Sequence, residues 1–192
     1  MTLLYPLHLA GTAVTLREFS EDDTKAVHAL VGDTRVTDYL SFDAKTREQS
    51  DTMLAGIVDR ARQEPRTEFY LAVDLAGSLI GFARLGLNGV QAAKLGYAIH
   101  ADLWGHGHAT DAVRTAIQFG FGVLGLHRIS AAIGPNNTAS IAVVEHLGFT
   151  LEGRIRDHVY TGGIWRDSLL YSVLTHEWPA QPRSTTHTAG RS

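Results

Sequence analysis

The chain of 192 residues is 44% hydrophobic and 19% charged, and 17 Lys and Arg against 20 Asp and Glu leave a formal charge of -3. That balance excludes a broad cationic footprint for a phosphate backbone, so nucleic acid is not an expected partner. The absence of cysteine removes disulfides, cysteine zinc sites, iron-sulfur clusters and thiol nucleophiles together, and is compatible with a reducing cytosol. No run of about eighteen apolar residues occurs, and the opening from Met1 to Gly11 carries no positive charge before its leucines. Neither a membrane span nor secretion is therefore expected, and the expected location is cytoplasmic. A chain of this length buries about 70% of its extended surface without staples, which points to one domain over residues 1–178. Pro179 to Ser192 holds no large apolar side chain to offset the entropy of ordering it, and is expected to be a disordered tail.

Along the chain, Val14 and Leu16 alternate with Thr15 and Arg17 in a strand expected from Ala13 to Phe19. Ser20 with Asp23 then forms a reciprocal capping pattern ahead of Ala26, Val27, Leu30 and Val31 at helical spacing. Gly32 to Lys45 is expected to be irregular. Thr46 and Gln49 cap a second helix whose stripe of Met53, Leu54, Ile57, Val58 and Ala61 stops near Pro65. The period then falls to two: Phe69, Leu71, Val73 and Leu75 turn at Ala76-Gly77 into Leu79, Gly81, Ala83 and Leu85, an antiparallel hairpin. Leu95 to Ile99, beyond the Asn88-Gly89 turn, extends the meander. From Gly107, Ala109, Ala112, Val113, Ala116, Ile117, Phe121 and Leu124 define a long helix. His127 to Ile133 is a short strand, Asn137 to Leu147 a helix closed by Gly148, and Arg154 to Tyr160 pairs with Ile164 to Leu174 through Thr161-Gly162-Gly163. No internal repeat is present.

The most informative stretch is the strand Lys94 to His100, the loop from Asp102 through Gly105, His106 and Gly107 to Thr110, and the long helix behind it. Two glycines let backbone approach a ligand closely, and the free amides of a first helical turn attract an anion. The same pattern also serves as a tight strand-to-helix turn with no ligand. A dinucleotide loop is excluded because Thr110 stands where a third Gly belongs and no Asp or Glu lies between Gly120 and Gly134 to hold a ribose. No Walker-type G-x-x-x-x-G-K-S/T occurs.

Three separated pieces carry a family resemblance. Trp104-Gly105-His106-Gly107-His108-Ala109-Thr110-Asp111-Ala112 is similar to a W-G-x-G-x-A-T-D/E-A loop; Asn137-Thr138-Ala139-Ser140 is similar to an N-x-x-S helix start; Leu147-Gly148-Phe149-Thr150-Leu151-Glu152-Gly153 is similar to an L-G-F-x-x-E-G exit. In this order they resemble the GCN5-related N-acetyltransferases, in particular the ribosomal-protein N-terminal acetyltransferase branch, from about Val14 to Trp178. The resemblance implies a mixed α/β fold: a mostly antiparallel sheet of six to seven strands, splayed in the middle and flanked by about four helices. It also implies acetyl-CoA as cosubstrate, with its pyrophosphate on amides of Gly105, His106, Gly107, His108, Ala109 and Thr110 beside Trp104, and its pantetheine arm paired along Ala98, Ile99 and His100. Asn137 would hydrogen-bond the pantetheine region, or simply cap its helix.

Transfer to an amine then needs an oxyanion donor, for which an amide near Ala98 or Ile99 is expected, and a proton source for sulfur, for which Ser140 or Tyr171 is available. Ser140 also fits a first-turn helix residue bonding backbone, and Tyr171 a core aromatic. Where many relatives carry a basic Glu, two residues before the Gly-Tyr of the central strand, this chain has Lys94. Asp167, the one carboxylate among Trp165, Leu169, Tyr171 and Val173, is the replacement base, with a pKa expected to be raised by an apolar face; an ion pair with Arg154 or Arg156 is the alternative. His106 and His108 are expected beside phosphates, and no metal is expected, because no carboxylate completes a ligand set with His100, His106 and His108. Asn136-Asn137-Thr138 is a formal glycosylation sequon without a secretion signal to give it meaning. The acceptor is an amine of a protein N-terminus or small molecule; a homodimer is compatible with the resemblance. A CoA-binding sensor that has lost turnover, in keeping with Lys94, and a nucleotide-binding module are the competing functions.

Overall fold

The structure is a computed structural model that describes residues 5–179. Residues 1–4 and 180–192, the latter comprising nearly all of the expected tail, lie outside the described residues. Eight strands form one sheet in the order β1-β2-β3-β4-β5-β6-β8-β7: β1 (His8–Ala10), β2 (Thr15–Arg17), β3 (Glu68–Leu75), β4 (Ser78–Leu87), β5 (Ala92–Ile99), β6 (Arg128–Ile133), β7 (Thr150–Thr161) and β8 (Ile164–Leu174). Every neighbouring pair is antiparallel except β5 with β6. The helices are α1 (Thr24–Val31), α2 (Thr34–Thr37), α3 (Arg47–Ala61), α4 (His108–Gly122) and α5 (Thr138–His146).

The expected count of six to seven strands and about four helices thus rises to eight and five. β1 is a three-residue edge strand, too short to leave a period in the sequence. α2 breaks the stretch expected to be irregular: Asp33 caps it by accepting from the Arg35 amide at 2.9 Å. The helix expected at Ser20 opens with a 3-10 turn over Glu21–Asp23, with the Ser20 amide donating to the Asp23 carboxylate at 2.8 Å. At α3 both arms of the Thr46–Gln49 box are made, at 3.0 and 3.3 Å.

The period-two alternation of β3 and β4 sorts side chains to two faces. Leu71, Val73, Ala83 and Leu85 meet Ala112, Val113, Ala116 and Ile117 of α4 and Val144 of α5 on one face. Tyr70, Ala72 and Phe82 meet Val27 and Leu30 of α1 and Leu54, Ile57 and Val58 of α3 on the other. The sheet is accordingly covered on both sides, with α1 packed on β4 and α3 on β3.

One residue of the glycine-loop motif has a structural task that its motif position does not reveal. Asp111 in the first turn of α4 is buried, and its carboxylate accepts from the amides of Thr12 (3.0 Å), Ala13 (2.7 Å) and Val14 (3.0 Å), which pins the β1–β2 corner to α4. Burial alone would push this carboxyl up; donation by Ala13, Thr12 and Val14 outweighs it and holds the carboxyl below its ordinary range. Asp111→Ala leaves three amides without their partner and is expected to lower unfolding free energy by about 2–3 kcal/mol in urea titration. Because the folded-state value is depressed, the carboxylate's contribution is complete above the unfolded range and is lost as pH falls through the folded value. The variant should therefore lose less stability than the parent on acidification below the ordinary carboxylate range.

Candidate active site

β5 and β6 run parallel for three rungs, Ala92 with Arg128, Ala93 with Ile129 and Lys94 with Ser130, and then diverge. A cavity of 820 Å³ fills the gap and runs from the glycine loop to the β7–β8 hairpin. Tyr97 spans the opening: its hydroxyl donates to the Ser140 carbonyl of α5 at 3.1 Å. Burial pushes the Tyr97 phenol up to about 12, partly offset by its hydrogen bond with Ser140. The phenol therefore stays protonated and keeps donating.

The register of β4 with β5 decides which β5 groups face the gap. His100 N–H donates to the Ile80 carbonyl at 2.8 Å, and Phe82 lies opposite Ala98. Antiparallel alternation therefore turns the Ala98 and His100 amides toward β4 and those of Tyr97 and Ile99 toward the open edge. The Ile99 carbonyl on that edge accepts from Trp104 Nε1 at 2.8 Å. Of the two expected oxyanion donors, only Ile99 is thus presented. The imidazole of His100 turns to its own turn, where Nδ1 accepts from the Asp102 amide at 3.4 Å, and His100 does not line the cavity.

At the mouth, Gly107 caps α4 with φ 79° and ψ 0°, and Gly105 also has φ 79°. A Cβ at either would meet nothing within 4 Å, so the left-handed backbone, not crowding, is what demands glycine there. The first helical bond is made by Asp111 N–H to the Gly107 carbonyl at 3.1 Å, which leaves the amides of His108, Ala109 and Thr110 ahead of it available. His108 lines the cavity, and its buried Nδ1 has no partner among the described residues. His106 does not line the cavity; its ring stacks on that of His108 at 5.8 Å. No group of three or more metal-ligating side chains is gathered among the described residues.

Asn137 caps α5, its Oδ1 accepting from the Ser140 amide at 3.0 Å, and both residues line the cavity. The cap leaves the side-chain Nδ2 of Asn137 free to donate, while its backbone N–H donates to the Gly134 carbonyl at 2.9 Å. Two other expected site residues are elsewhere. Tyr171 is buried in the core with 3% exposure, and its hydroxyl donates to Glu145 at 3.0 Å; burial and that carboxylate push its phenol up. It does not reach the cavity, because β8 residues of its parity face α4 and α5. Asp167 is also corrected: its carboxylate accepts from the Asp157 amide at 2.8 Å and from Arg154 at 2.5 Å. These donors hold it below, not above, its ordinary range. The alternative reading, an ion pair with Arg154, is the one formed, opposite a bulge in β7.

The far wall comes from the two segments, Asp33 to Gln63 and the last hairpin, that the sequence offers for shaping acceptor choice. Val36, Tyr39 and Leu40 line it from α2 and the turn after, and Ile155, His158 and Val159 from β7. Arg166 ties the two together by donating to the carbonyls of Asp38 (2.6 Å) and Leu40 (3.0 Å). The charged lining is cationic: Arg84, Lys94 and Arg128, with no Asp or Glu among the described lining residues. Arg84 pairs with Glu68 at 2.6 Å and Arg128 with Glu152 at 2.5 Å, whereas Lys94 is exposed and enters no ion pair among the described residues.

The site is thus a mixed sheet that opens between two strands, with unbonded helix-start amides at one end of the gap and a lined pocket at the other. Comparison with known sequences names the family of the chain. The chain matches the Acetyltransferase (GNAT) domain over residues 13–150 and belongs to that family; it is an N-acetyltransferase. An uncharacterized N-acetyltransferase, p20 of Bacillus licheniformis, is 31% identical over 170 residues, 86% of this chain and 94% of that protein. The [ribosomal protein uS5]-alanine N-acetyltransferase of Escherichia coli is 32% identical over 97 residues, half of each chain. Among solved structures, Mycobacterium smegmatis RimJ in complex with CoA-disulfide superimposes with a TM-score of 0.82 at 25% identity, covering 92% of this chain and 91% of RimJ.

Tyr97→Phe removes the hydroxyl that bridges β5 and α5. It is expected to lower stability by about 1 kcal/mol, read as a reduced urea midpoint at unchanged slope.

Proposed function

We propose that residues 1–178 act as one acetyltransferase domain that moves the acetyl group of acetyl-CoA directly to a primary amine, on a protein N-terminus or a small molecule. The observation that carries this is the divergence of β5 from β6 behind a glycine-capped helix start. The two ends of that gap match the two chemistries of the cosubstrate. Amides from Gly105 to Thr110 suit a pyrophosphate, and the open β5 edge suits the amide-bearing arm, which pairs as a strand would. The side-chain Nδ2 of Asn137 supports the same arm.

In the transfer, the amine nitrogen forms a bond to the thioester carbon, and the carbon–sulfur bond breaks with its electron pair on sulfur. The Ile99 amide, fixed on the edge by the β4 register, holds the negative charge that develops on the carbonyl oxygen. Ser140, at the start of α5, supplies the proton that lets sulfur leave as a thiol. With no cysteine in the chain, attack is direct. The cytoplasm, where acetyl-CoA is made available to such enzymes, is the proposed setting.

The cationic lining bears on the acceptor. Lys94 stands where many relatives place a carboxylate, and like-charge approach disfavours a polycation. Spermidine is expected to be at least about tenfold poorer in kcat/KM than an N-terminal peptide amine with acidic side chains, a difference of roughly 1.4 kcal/mol. Isothermal calorimetry should register acetyl-CoA binding by the parent protein. Gly107→Trp should abolish that heat, because a left-handed φ in a bulky residue costs roughly 1–2 kcal/mol and its side chain enters the cradle. Binding without thiol release across an amine panel would mark a CoA sensor instead.

A further inference from the structure

The acetyl-transfer reading leaves open what removes the proton from the attacking amine, since Lys94 replaces the usual carboxylate and Asp167 is engaged in its ion pair. The cavity wall contains one unassigned titratable group with a built-in partner. β7 and β8 keep register to Ile155 opposite Ser168 and resume it at Val159 opposite Arg166, so Arg156, Asp157 and His158 all stand against Asp167 alone. Such a bulge re-aims the side chain that follows it. Asp157 takes φ 48°, and its amide is held by Asp167 at 2.8 Å. The bulge turns His158 into the cavity lining, with Nδ1 at 3.0 Å from Oγ of Ser168, which is 3% exposed.

We infer that His158 is the general base of the transfer, oriented by Ser168 and delivered to the acceptor side of the cleft by the β7 bulge. This rests on the acetyl-transfer reading. In the tautomer whose Nδ1–H donates to the Ser168 hydroxyl, Nε2 of this cavity-lining ring carries the lone pair, and Nε2 has no partner among the described residues. The same Nδ1–H contact is kept when the ring is protonated, so the imidazole need not move during the cycle. The acceptor ammonium gives one proton to Nε2, and its freed electron pair forms the carbon–nitrogen bond. The second proton that the nitrogen sheds matches the one that sulfur takes up. Ammonium and thioester thus become amide, thiol and one proton, which His158 returns to solvent from its exposed position.

The test compares the parent with His158→Ala, His158→Gln and Ser168→Ala, by calorimetry with acetyl-CoA and by thiol release with alaninamide as the amine and with water alone. Loss of a general base typically costs 10²–10⁴-fold in rate. Both His158 variants should bind acetyl-CoA within twofold of the parent and lose about 100-fold or more in kcat. Added imidazole should restore part of the rate in His158→Ala and none in His158→Gln, whose side chain fills the space. Ser168→Ala should lose several-fold at unchanged affinity. Equal thiol release by parent and His158→Ala, at whatever level, overturns the assignment while leaving acetyl-CoA binding intact. Absence of acetyl-CoA binding by the parent overturns the acetyl-transfer reading itself, and this inference with it.

Discussion

The site depends on two strands that begin as neighbours and do not remain so. After Lys94 and Ser130 the parallel ladder between β5 and β6 stops, and the backbone groups of Tyr97 and Ile99 are left facing space inside the protein. Unpaired backbone at an internal edge is costly unless something meets it. The structure meets part of it internally: Trp104 covers the Ile99 carbonyl, and Tyr97 reaches across to α5 with its side chain. What remains is a donor-rich edge in a cavity wide enough for an extended ligand. The gap is thus held open by specific contacts and not by missing side chains.

Much of this was legible in the chain because it is written in local terms. Period-two runs, capping boxes and the Gly148 stop each depend on residues within one element, and they matched β3, β4, α3 and α5. The glycine loop was legible for the same reason, since positive φ at Gly105 and Gly107 is a local demand. The family resemblance and the comparisons agree on what stands behind it. What failed was what depends on register. Alternation along β8 offers Asp167 as a base, but it says which residues share a face and not which face borders the cavity; Asp167 takes its alternative role, the ion pair with Arg154, and Tyr171 its own, a core aromatic. Tyr171 shares the α4 and α5 face, and Asp167 faces a bulge that no period announces. His158 was missed because three β7 residues stand against one on β8, and no motif spans that interruption.

The same distinction separates scaffold from chemistry within a single motif. In the Trp104 to Ala112 segment, Gly107 and the amides after it make up the proposed cradle, whereas Asp111 points backward to clamp the β1–β2 corner. Neighbouring motif residues therefore face unrelated tasks, one set open to the cavity mouth and one bound into the fold. The cleft's charge follows a similar logic. Arg84 and Arg128 are tied to Glu68 and Glu152, whereas Lys94 has no ion-pair partner among the described residues, so in the proposed reading an acceptor meets a cation at that strand and a histidine on the opposite wall.

Amide hydrogen exchange, followed residue by residue with and without CoA, tests the open edge most directly. The Tyr97 and Ile99 amides should exchange at least about tenfold more slowly when CoA is present, as hydrogen bonding to the ligand closes them, while Ala98, already turned to β4, should not change. CoA binding that leaves Tyr97 and Ile99 as they were, or that slows Ala98 instead, would contradict the account.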